Sequence, residues 1–422
     1  FSPDTAAEYQ SAPLKFTRNQ DLVYRGDMLW DLDEMELIPG DLVEYYVIVA
    51  DNDAVNGPKT ARSKTYTLRL PTMSEMYQAM EQSESQGMEQ LEQAMEKSRE
   101  VHEAVEEAIN EIRRKGELDW SKQRELNEEL KEQEEVLKKL EETKQALEDI
   151  MQRAEESSLL SMELIQKYSE LQKLVDEIAS PEYKQAMERL SQALEQENPE
   201  NLQRMAELFQ MSQEDMLRQV EKSLEVLKQL KLERNLEELA KRASEMAERQ
   251  AEIADSLNKI SPEEAAELTP EEQALKREME ELLKQMQETA ELAEQMDDSL
   301  AMEMGELNES AGEIPQDMES MSGQMSSGQN SQASQSGQRI SQSLSQMSQS
   351  LSNMKDRMTS RKKRELVKKM MAAVRELVAL SQQQENLKTE SSEMSPRSPG
   401  YRERAEIQSR SEEHTSELQS LL

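Results

Sequence analysis

The chain has 422 residues and a formal net charge of −37, with 35% hydrophobic but only 3% aromatic residues. Aromatic side chains are too few for one large globular core, and the abundance of Glu, Gln, Lys, Leu and Met is typical of helical bundles and coiled coils. The absence of cysteine excludes disulfides and thiol chemistry, and the acidic surplus disfavours general binding to nucleic acid or to anionic lipid headgroups.

Residues 1–71 predict a partial β module. Short runs rich in β-branched and aromatic residues, separated by Pro, Gly, Asn and Asp, lie at residues 14–16, 27–32, 42–50 and 65–70. Residues 37–41, followed by Tyr45, resemble the corner between the E and F strands of immunoglobulin-like sandwiches. The module therefore reads as the second half of such a sandwich. Since the chain starts at Phe1 inside this module, we expect the natural chain to extend upstream.

An acidic coiled-coil or helical-hairpin region is predicted for residues 72–311. Thr72 or Ser74, followed by Glu75, caps a helix that runs to about Arg114. Residues 121–178 contain no Pro or Gly, and their apolar residues recur at spacings of three and four. This pattern predicts one helix about 85 Å long with a narrow apolar seam, interrupted only by a shift of the heptad frame after residue 154.

The later part of this region has the cleanest seam of the chain. Its members are Leu236, Leu239, Ala243, Met246, Gln250, Ile253, Leu257 and Ile260. Prolines at positions 181, 199, 262 and 270 mark helix restarts that let the chain turn back on itself. Antiparallel hairpins would bury the seams within one molecule, whereas parallel self-association would bury them between molecules, and the sequence does not separate these two alternatives.

The C-terminal quarter predicts several segments. Residues 312–338, rich in Ser, Gln, Gly and Met, predict a flexible linker. Residues 339–388 predict an amphipathic helical region, and residues 389–409 contain a break followed by a truncated continuation. Residues 410–422 look like the in-frame translation of a sequencing-library adapter, which places the end of the natural sequence near residue 409.

No catalytic, cofactor or metal site is predicted, and we expect no enzyme activity. The chain has no Gly-rich phosphate loop and, outside the adapter-like tail, a single histidine, His102. Asp51, Asp53 and Asn56 offer oxygen ligands for calcium, but Val55 stands where the spacing of a calcium loop needs an oxygen. We therefore interpret this segment as a turn in which the polar side chains bond local backbone.

One basic cluster stands out as a possible interaction patch. It comprises Arg361, Lys362, Lys363, Arg364, Lys368 and Lys369. A broad apolar set accompanies it: Leu366, Val367, Met370, Met371, Val374, Leu377 and Val378. Such a segment is typical either of a helix lying in the plane of a membrane or of one that docks onto acidic helices of the same chain. The acidic surplus favours docking within the chain.

The residues at the junction between the β module and the helices resemble a known family. They are Tyr45-Tyr46-Val47, Ala50-Asp51-Asn52-Asp53, Gly57-Pro58-Lys59, Ala61-Arg62-Ser63, Leu68-Arg69-Leu70-Pro71 and Met76-Tyr77, with residues 377–385 later in the chain. They are similar to bacterial proteins with the "domain of unknown function 4175". The resemblance implies N-terminal membrane-spanning helices upstream of this chain, an immunoglobulin-like module and a long Glu/Gln-rich helical region, with no established activity.

Two functions follow as hypotheses. The first is a non-enzymatic, membrane-anchored scaffold or spacer of the bacterial cell envelope, which binds other helices or proteins through coiled-coil seams or associates with itself. The alternative is a soluble cytoplasmic coiled-coil scaffold or adaptor. No cofactor is expected for either function, and the membrane contact of the first lies in the N-terminal region that the resemblance implies.

Overall fold

A computed structural model describes residues 11, 13, 14, 17, 18, 24, 25, 30, 32, 42–51, 57–157, 159–196 and 198–392. The chain divides into two compact units, Phe1–Gln82 and Ser83–Leu422. The prediction of a mainly α protein is confirmed. The predicted break at residues 389–409 and the adapter-like tail lie largely or wholly outside the described residues.

The described residues of the first unit form three antiparallel strand pairs. They are β1 (Thr17–Arg18) with β2 (Tyr24–Arg25), β3 (Leu42–Tyr45) with β6 (Tyr66–Arg69), and β4 (Ile48–Ala50) with β5 (Thr60–Arg62). The last two pairs form successive parts of one hairpin. Between them the regular ladder is interrupted, and the backbone N–H of Ser63 donates to the carbonyl of Val47 at 2.9 Å.

The predicted immunoglobulin-like sandwich is not found among the described residues. The sheets there are two-stranded, and large apolar side chains of the hairpin, such as Ile48 and Val49, are exposed rather than covered by a second sheet. Tyr45, predicted as a corner residue, instead stacks on its cross-strand partner Tyr66 with ring centroids 5.4 Å apart, and Trp30 meets it edge-on at 5.6 Å. Cross-strand aromatic pairing explains the same residue pattern.

The helices follow in chain order. They are α1 (Met73–Lys115), α2 (Trp120–Ser157), α3 (Met162–Ile178), α4 (Pro181–Leu194), α5 (Pro199–Leu257), α6 (Pro262–Glu267), α7 (Thr269–Glu294), α8 (Asp298–Ala311), α9 (Ile314–Ser326) and α10 (Asn330–Ser392). α1 begins with a reciprocal cap, in which Thr72 Oγ1 accepts from the Glu75 N–H at 3.2 Å and Glu75 Oε2 accepts from the Thr72 N–H at 2.8 Å. It ends before Gly116, whose φ of 82° suits a residue without a side chain.

The prediction of a single helix over residues 121–178 is wrong, because α2 ends at Ser157 and a turn separates it from α3. Leu159 and Leu160 are buried at the break, so apolar residues here pack a turn rather than continue a seam. Ser161 donates to Glu237 from its backbone N–H at 2.7 Å and from its hydroxyl at 3.0 Å. The shift in heptad frame is therefore the sequence signature of a turn, and the carboxylate that holds the turn comes from α5.

The second unit buries its seams within one chain. α1 and α2 run antiparallel, with Lys122 paired to Glu107 at 2.6 Å, and Arg113 of α1 pairs with Glu207 near the start of α5 at 2.8 Å. α4 packs on the first half of α5, where Tyr183 contacts Phe209, and α3 packs near its middle, where Lys167 pairs with Glu233. The second half of α5 packs with α7, α8, α9 and α10 around one continuous apolar core, which we call the second core. Of the two arrangements left open by the sequence, the structure has intramolecular packing.

The flexible linker predicted for residues 312–338 is also wrong. α9 and the start of α10 occupy it, and Met318, Met321 and Met325 are fully buried. A Cβ at Gly337 would lie 2.8 Å from the Cβ of Ala254, so glycine permits close helix packing at this position. Small residues here are seam residues rather than linker residues.

The cleanest seam gives a direct test of this packing. Leu239 and Ile253 are buried in the second core. Leu239→Asp together with Ile253→Asp is expected to lower the free energy of unfolding by more than about 4 kcal/mol, since each variant buries an unpaired charge. Thermal unfolding followed by far-UV circular dichroism measures the effect. The control pair Glu245→Asp and Glu252→Asp changes exposed positions of α5, and an equal effect of both pairs would contradict the seam assignment.

Candidate interaction surface

α10 changes character along its length. From Ala333 to Met358 its apolar side chains are buried in the second core. Beyond Met358 most of the large apolar side chains are exposed, whereas Leu377 and Leu380 are half-buried. Leu366, Val367, Met370, Met371, Val374 and Val378 are 48% to 59% exposed. Only Ala373 is buried among residues 361–392 whose side chains are described. α10 therefore carries an amphipathic segment, residues 361–378, whose apolar face has no cover in the described part of the chain.

The first half of the predicted basic patch ties this segment to the bundle. Arg361 lies 3.4 Å from Asp297 and 3.6 Å from Glu303. Lys362 pairs with Glu225 of α5 at 3.6 Å, and Lys363 pairs with Glu163 of α3 at 3.6 Å. These side chains dock onto the chain's own acidic helices, as the charge balance predicts.

The second half of the patch contacts residues of α10 itself. Arg364 donates to the Ser360 carbonyl at 3.2 Å, and Lys369 pairs at 3.6 Å with Glu365, one turn earlier on the same helix. Among the described residues, neither these two side chains nor Lys368 forms an ion pair with another helix. The six predicted patch residues therefore form two groups: Arg361, Lys362 and Lys363 pair with other helices, and the other three do not among the described residues.

A polar cleft of about 310 Å³ lies where α3, α5 and α10 meet. Its lysines are neutralised by neighbouring carboxylates: Lys167 lies 2.6 Å from Glu233, and Lys355 lies 2.7 Å from Glu237. Since Glu237 also accepts both bonds from Ser161, the groups lining the cleft hold the three helices together. The cleft is a structural junction, in which each lining lysine is paired with a carboxylate.

A buried charge network lies close to this cleft. Arg234 of α5 is 1% exposed and its guanidinium donates to both oxygens of Glu84 of α1, at 2.9 Å and 3.0 Å. It also donates to Glu238 at 2.6 Å, and the Tyr168 hydroxyl of α3 donates to Glu84. Burial lowers the pKa of Arg234, but the charges of Glu84 and Glu238 outweigh this and raise it overall. The network fixes three helices at the middle of α5.

Sequence reasoning missed this network for a physical reason. Arg234 and Glu238 are four residues apart, and such pairs usually lie on a solvated helix face. Here both are buried because α1 supplies Glu84 from 150 residues away. No local signal in the sequence marks that partner.

One cluster of three carboxylates has the composition of a cation site. Glu100, Glu129 and Glu132 bring oxygens within 4.8 Å of one another. Lys97 already places its ammonium 2.7 Å from Glu100 and 2.8 Å from Glu132. These hydrogen bonds raise the pKa of Lys97, so the ammonium remains charged where a metal ion would otherwise sit.

Of the three residues considered as calcium ligands, the structure describes Asp51, whereas Asp53 and Asn56 lie outside the described residues. The Asp51 Oδ1 accepts from the backbone N–H of Lys59 at 2.8 Å. This bond across the hairpin agrees with the interpretation of Asp51 as a turn residue that bonds local backbone.

Comparisons with protein-family models, curated proteins and solved structures find no match to this chain. The resemblance to the "domain of unknown function 4175" family stays a prediction from the quoted residues. Of the helices in the described ranges, none combines the length and the apolarity needed to cross a bilayer.

Proposed function

We propose that the chain is a non-enzymatic structural and interaction protein, a scaffold or spacer. α5 carries this proposal: it has 59 residues, extends over about 90 Å, and packs against different helices along its length. Its buried apolar and charged side chains all serve to hold neighbouring helices. Such a helix keeps its two ends at a fixed distance, which is what a spacer needs.

The cellular setting of the proposal comes from the family resemblance. That resemblance implies membrane-spanning helices upstream, so the intact protein would be anchored in the bacterial envelope. The described helices support the scaffold function but carry no information on this anchor.

Fractionation of the intact protein tests the setting. We expect the protein to sediment with membranes and to remain there after washes with high salt and alkaline carbonate, because membrane-spanning helices are not released by either. A variant with Leu239→Asp and Ile253→Asp should behave identically, since the anchor lies outside the bundle. Recovery of the wild-type protein wholly in the soluble fraction would contradict anchoring and favour the soluble cytoplasmic scaffold.

A further inference from the structure

We propose that residues 361–378 of α10 bind in the plane of an anionic membrane surface. This function goes beyond the scaffold proposal, and it does not require the upstream anchor because it belongs to the chain described above. The proposal depends on the exposure of the apolar face, on the position of the basic residues around it, and on the contacts that hold the segment on the bundle.

The apolar face has the width of an interfacial helix. At 3.6 residues per turn, the six exposed apolar side chains fall within an arc of about 140°, which also contains Lys363 at the start of the segment. A coiled-coil seam uses only two positions in each heptad and is narrower. A broad face on an otherwise polar helix fits a lipid surface, where the apolar side chains enter the region between headgroups and acyl chains.

Basic side chains lie along both borders of this face. Arg364, Lys368 and Arg375 occupy an arc of about 40° next to Met371, and Lys369 lies beyond the opposite border. In this position the long side chains place their charges at the level of the headgroups while their methylene groups lie beside the apolar face. The borders therefore match anionic lipids rather than neutral ones.

The overall charge of −37 does not prevent this contact. Charges farther apart than about 8 Å are largely screened at physiological ionic strength, so the local segment decides the interaction. Residues 361–378 contain seven basic and two acidic side chains, the reverse of the rest of the chain. The expectation from composition, that anionic lipid is generally disfavoured, stays a prediction for the other helices, and this segment is the proposed exception.

Two protein partners would fit this apolar face less well than a membrane surface does. The same segment of a second copy would bring the same basic borders together, which is repulsive. The acidic helices of a second copy carry complementary charge, but their seams are already buried within that copy. A membrane surface supplies both the apolar and the anionic component.

Sedimentation of the purified full chain with vesicles tests the proposal. We expect binding to vesicles of phosphatidylglycerol with phosphatidylcholine, and little binding to vesicles of phosphatidylcholine alone. The variant with Arg364→Gln, Lys368→Gln and Arg375→Gln should partition about 100-fold less, since each basic side chain near an anionic surface contributes about fivefold. The variant with Val367→Gln, Met371→Gln and Val374→Gln should lose binding as well.

The matched control neutralises three exposed basic side chains on other helices. Arg124→Gln, Arg218→Gln and Lys284→Gln remove the same charge from α2, α5 and α7. This variant should bind vesicles as the wild-type chain does. All three variants change exposed residues, so circular dichroism should show unchanged helicity.

Several outcomes would overturn the proposal. One is the absence of binding to anionic vesicles, and another is equal loss of binding in the control variant. Self-association of the chain that the Val367, Met371 and Val374 substitutions abolish, without any vesicle binding, would assign the face to a second copy. Capture of an acidic helical protein in place of vesicles would also contradict a lipid surface. None of these results bears on the upstream anchor, which the fractionation experiment tests separately.

Discussion

Arg234→Met is expected to lower the free energy of unfolding by about 3 to 5 kcal/mol, because it leaves a buried carboxylate without its partner. Glu84 is fully buried and receives two bonds from the Arg234 guanidinium. Methionine fills much of the volume but donates no hydrogen bond. The Tyr168 hydroxyl would remain as a donor to Glu84, which is too little for a buried charge.

Urea unfolding followed by far-UV circular dichroism measures this loss. The matched control is Arg218→Met on the same helix, where the arginine pairs with Asp215 on an exposed face. It should change the stability by less than about 0.5 kcal/mol. The contrast separates the effect of the buried network from the effect of placing methionine in α5.

A second variant tests whether the unpaired carboxylate of Glu84 causes the loss of stability. Glu84→Met combined with Arg234→Met removes both charges and should recover most of the lost stability, since a well-packed apolar pair often replaces a buried ion pair without cost. Glu238 would keep Arg242, 3.8 Å away, as a neighbour. A single variant as stable as the wild-type chain, or a double variant no better than the single one, would contradict this account.

The sequence predicts the regular part of the fold well. From Leu236 to Leu257 every seam residue named is buried, because the heptad pattern there reflects packing on one face of a long helix. The caps at Thr72 and Ser261 also follow local chemistry, with Glu75 and Glu264 three residues later in each case. Both features depend on residues close together in the sequence.

The wrong predictions concern segments whose structure depends on contacts with residues far away in the sequence. Ala333 and Gly337 occupy the same heptad positions as Ile340 and Leu344, so the seam continues into the supposed linker with small residues. Composition indicated flexibility, whereas close approach to α5 makes these residues part of the core. The turn before Met162 depends in the same way on Glu237, which comes from another helix.

The sequence predicts which residues form the candidate surface, but not which of its basic residues pair with other helices. The sequence identifies the basic cluster and its apolar neighbours, and it favours docking within the chain. Among the described residues, the structure shows docking for Arg361, Lys362 and Lys363 only, with acidic partners just before α8, in the middle of α5 and at the start of α3. Which basic residues pair with other helices depends on where those acidic residues lie, and no pattern within α10 encodes that.

The second large effect concerns the pH dependence of stability and a single buried acid, Glu272. Its side chain is fully buried near the start of α7, and its Oε2 accepts from Gln250 Nε2 at 2.9 Å. Burial raises the pKa of Glu272 to about 7. Among the described residues, its Oε1 and the Oε1 of Gln250 both lack a partner. A proton on Glu272 supplies the donor that this pair of acceptors needs.

The sign of the effect follows from the raised pKa. Between pH 4.5 and about pH 7 the folded state holds this proton more tightly than the unfolded state. The stabilisation from Glu272 is therefore complete below pH 4.5 and is lost as the pH rises through about 7. The difference corresponds to about 3 kcal/mol. Glu272→Gln keeps the shape and remains neutral, so it should remove this part of the pH dependence and be more stable than the wild-type chain above pH 7.

Unfolding in urea across this pH range compares the two proteins. Glu281→Gln is the matched control, because it removes an exposed carboxylate from the same helix and leaves the general electrostatic background of a chain with charge −37 in place. Its pH profile should run parallel to that of the wild-type chain. If Glu272→Gln also ran parallel, Glu272 would be ionised without cost in the folded state, and the pairing with Gln250 would need a donor other than the acid's own proton.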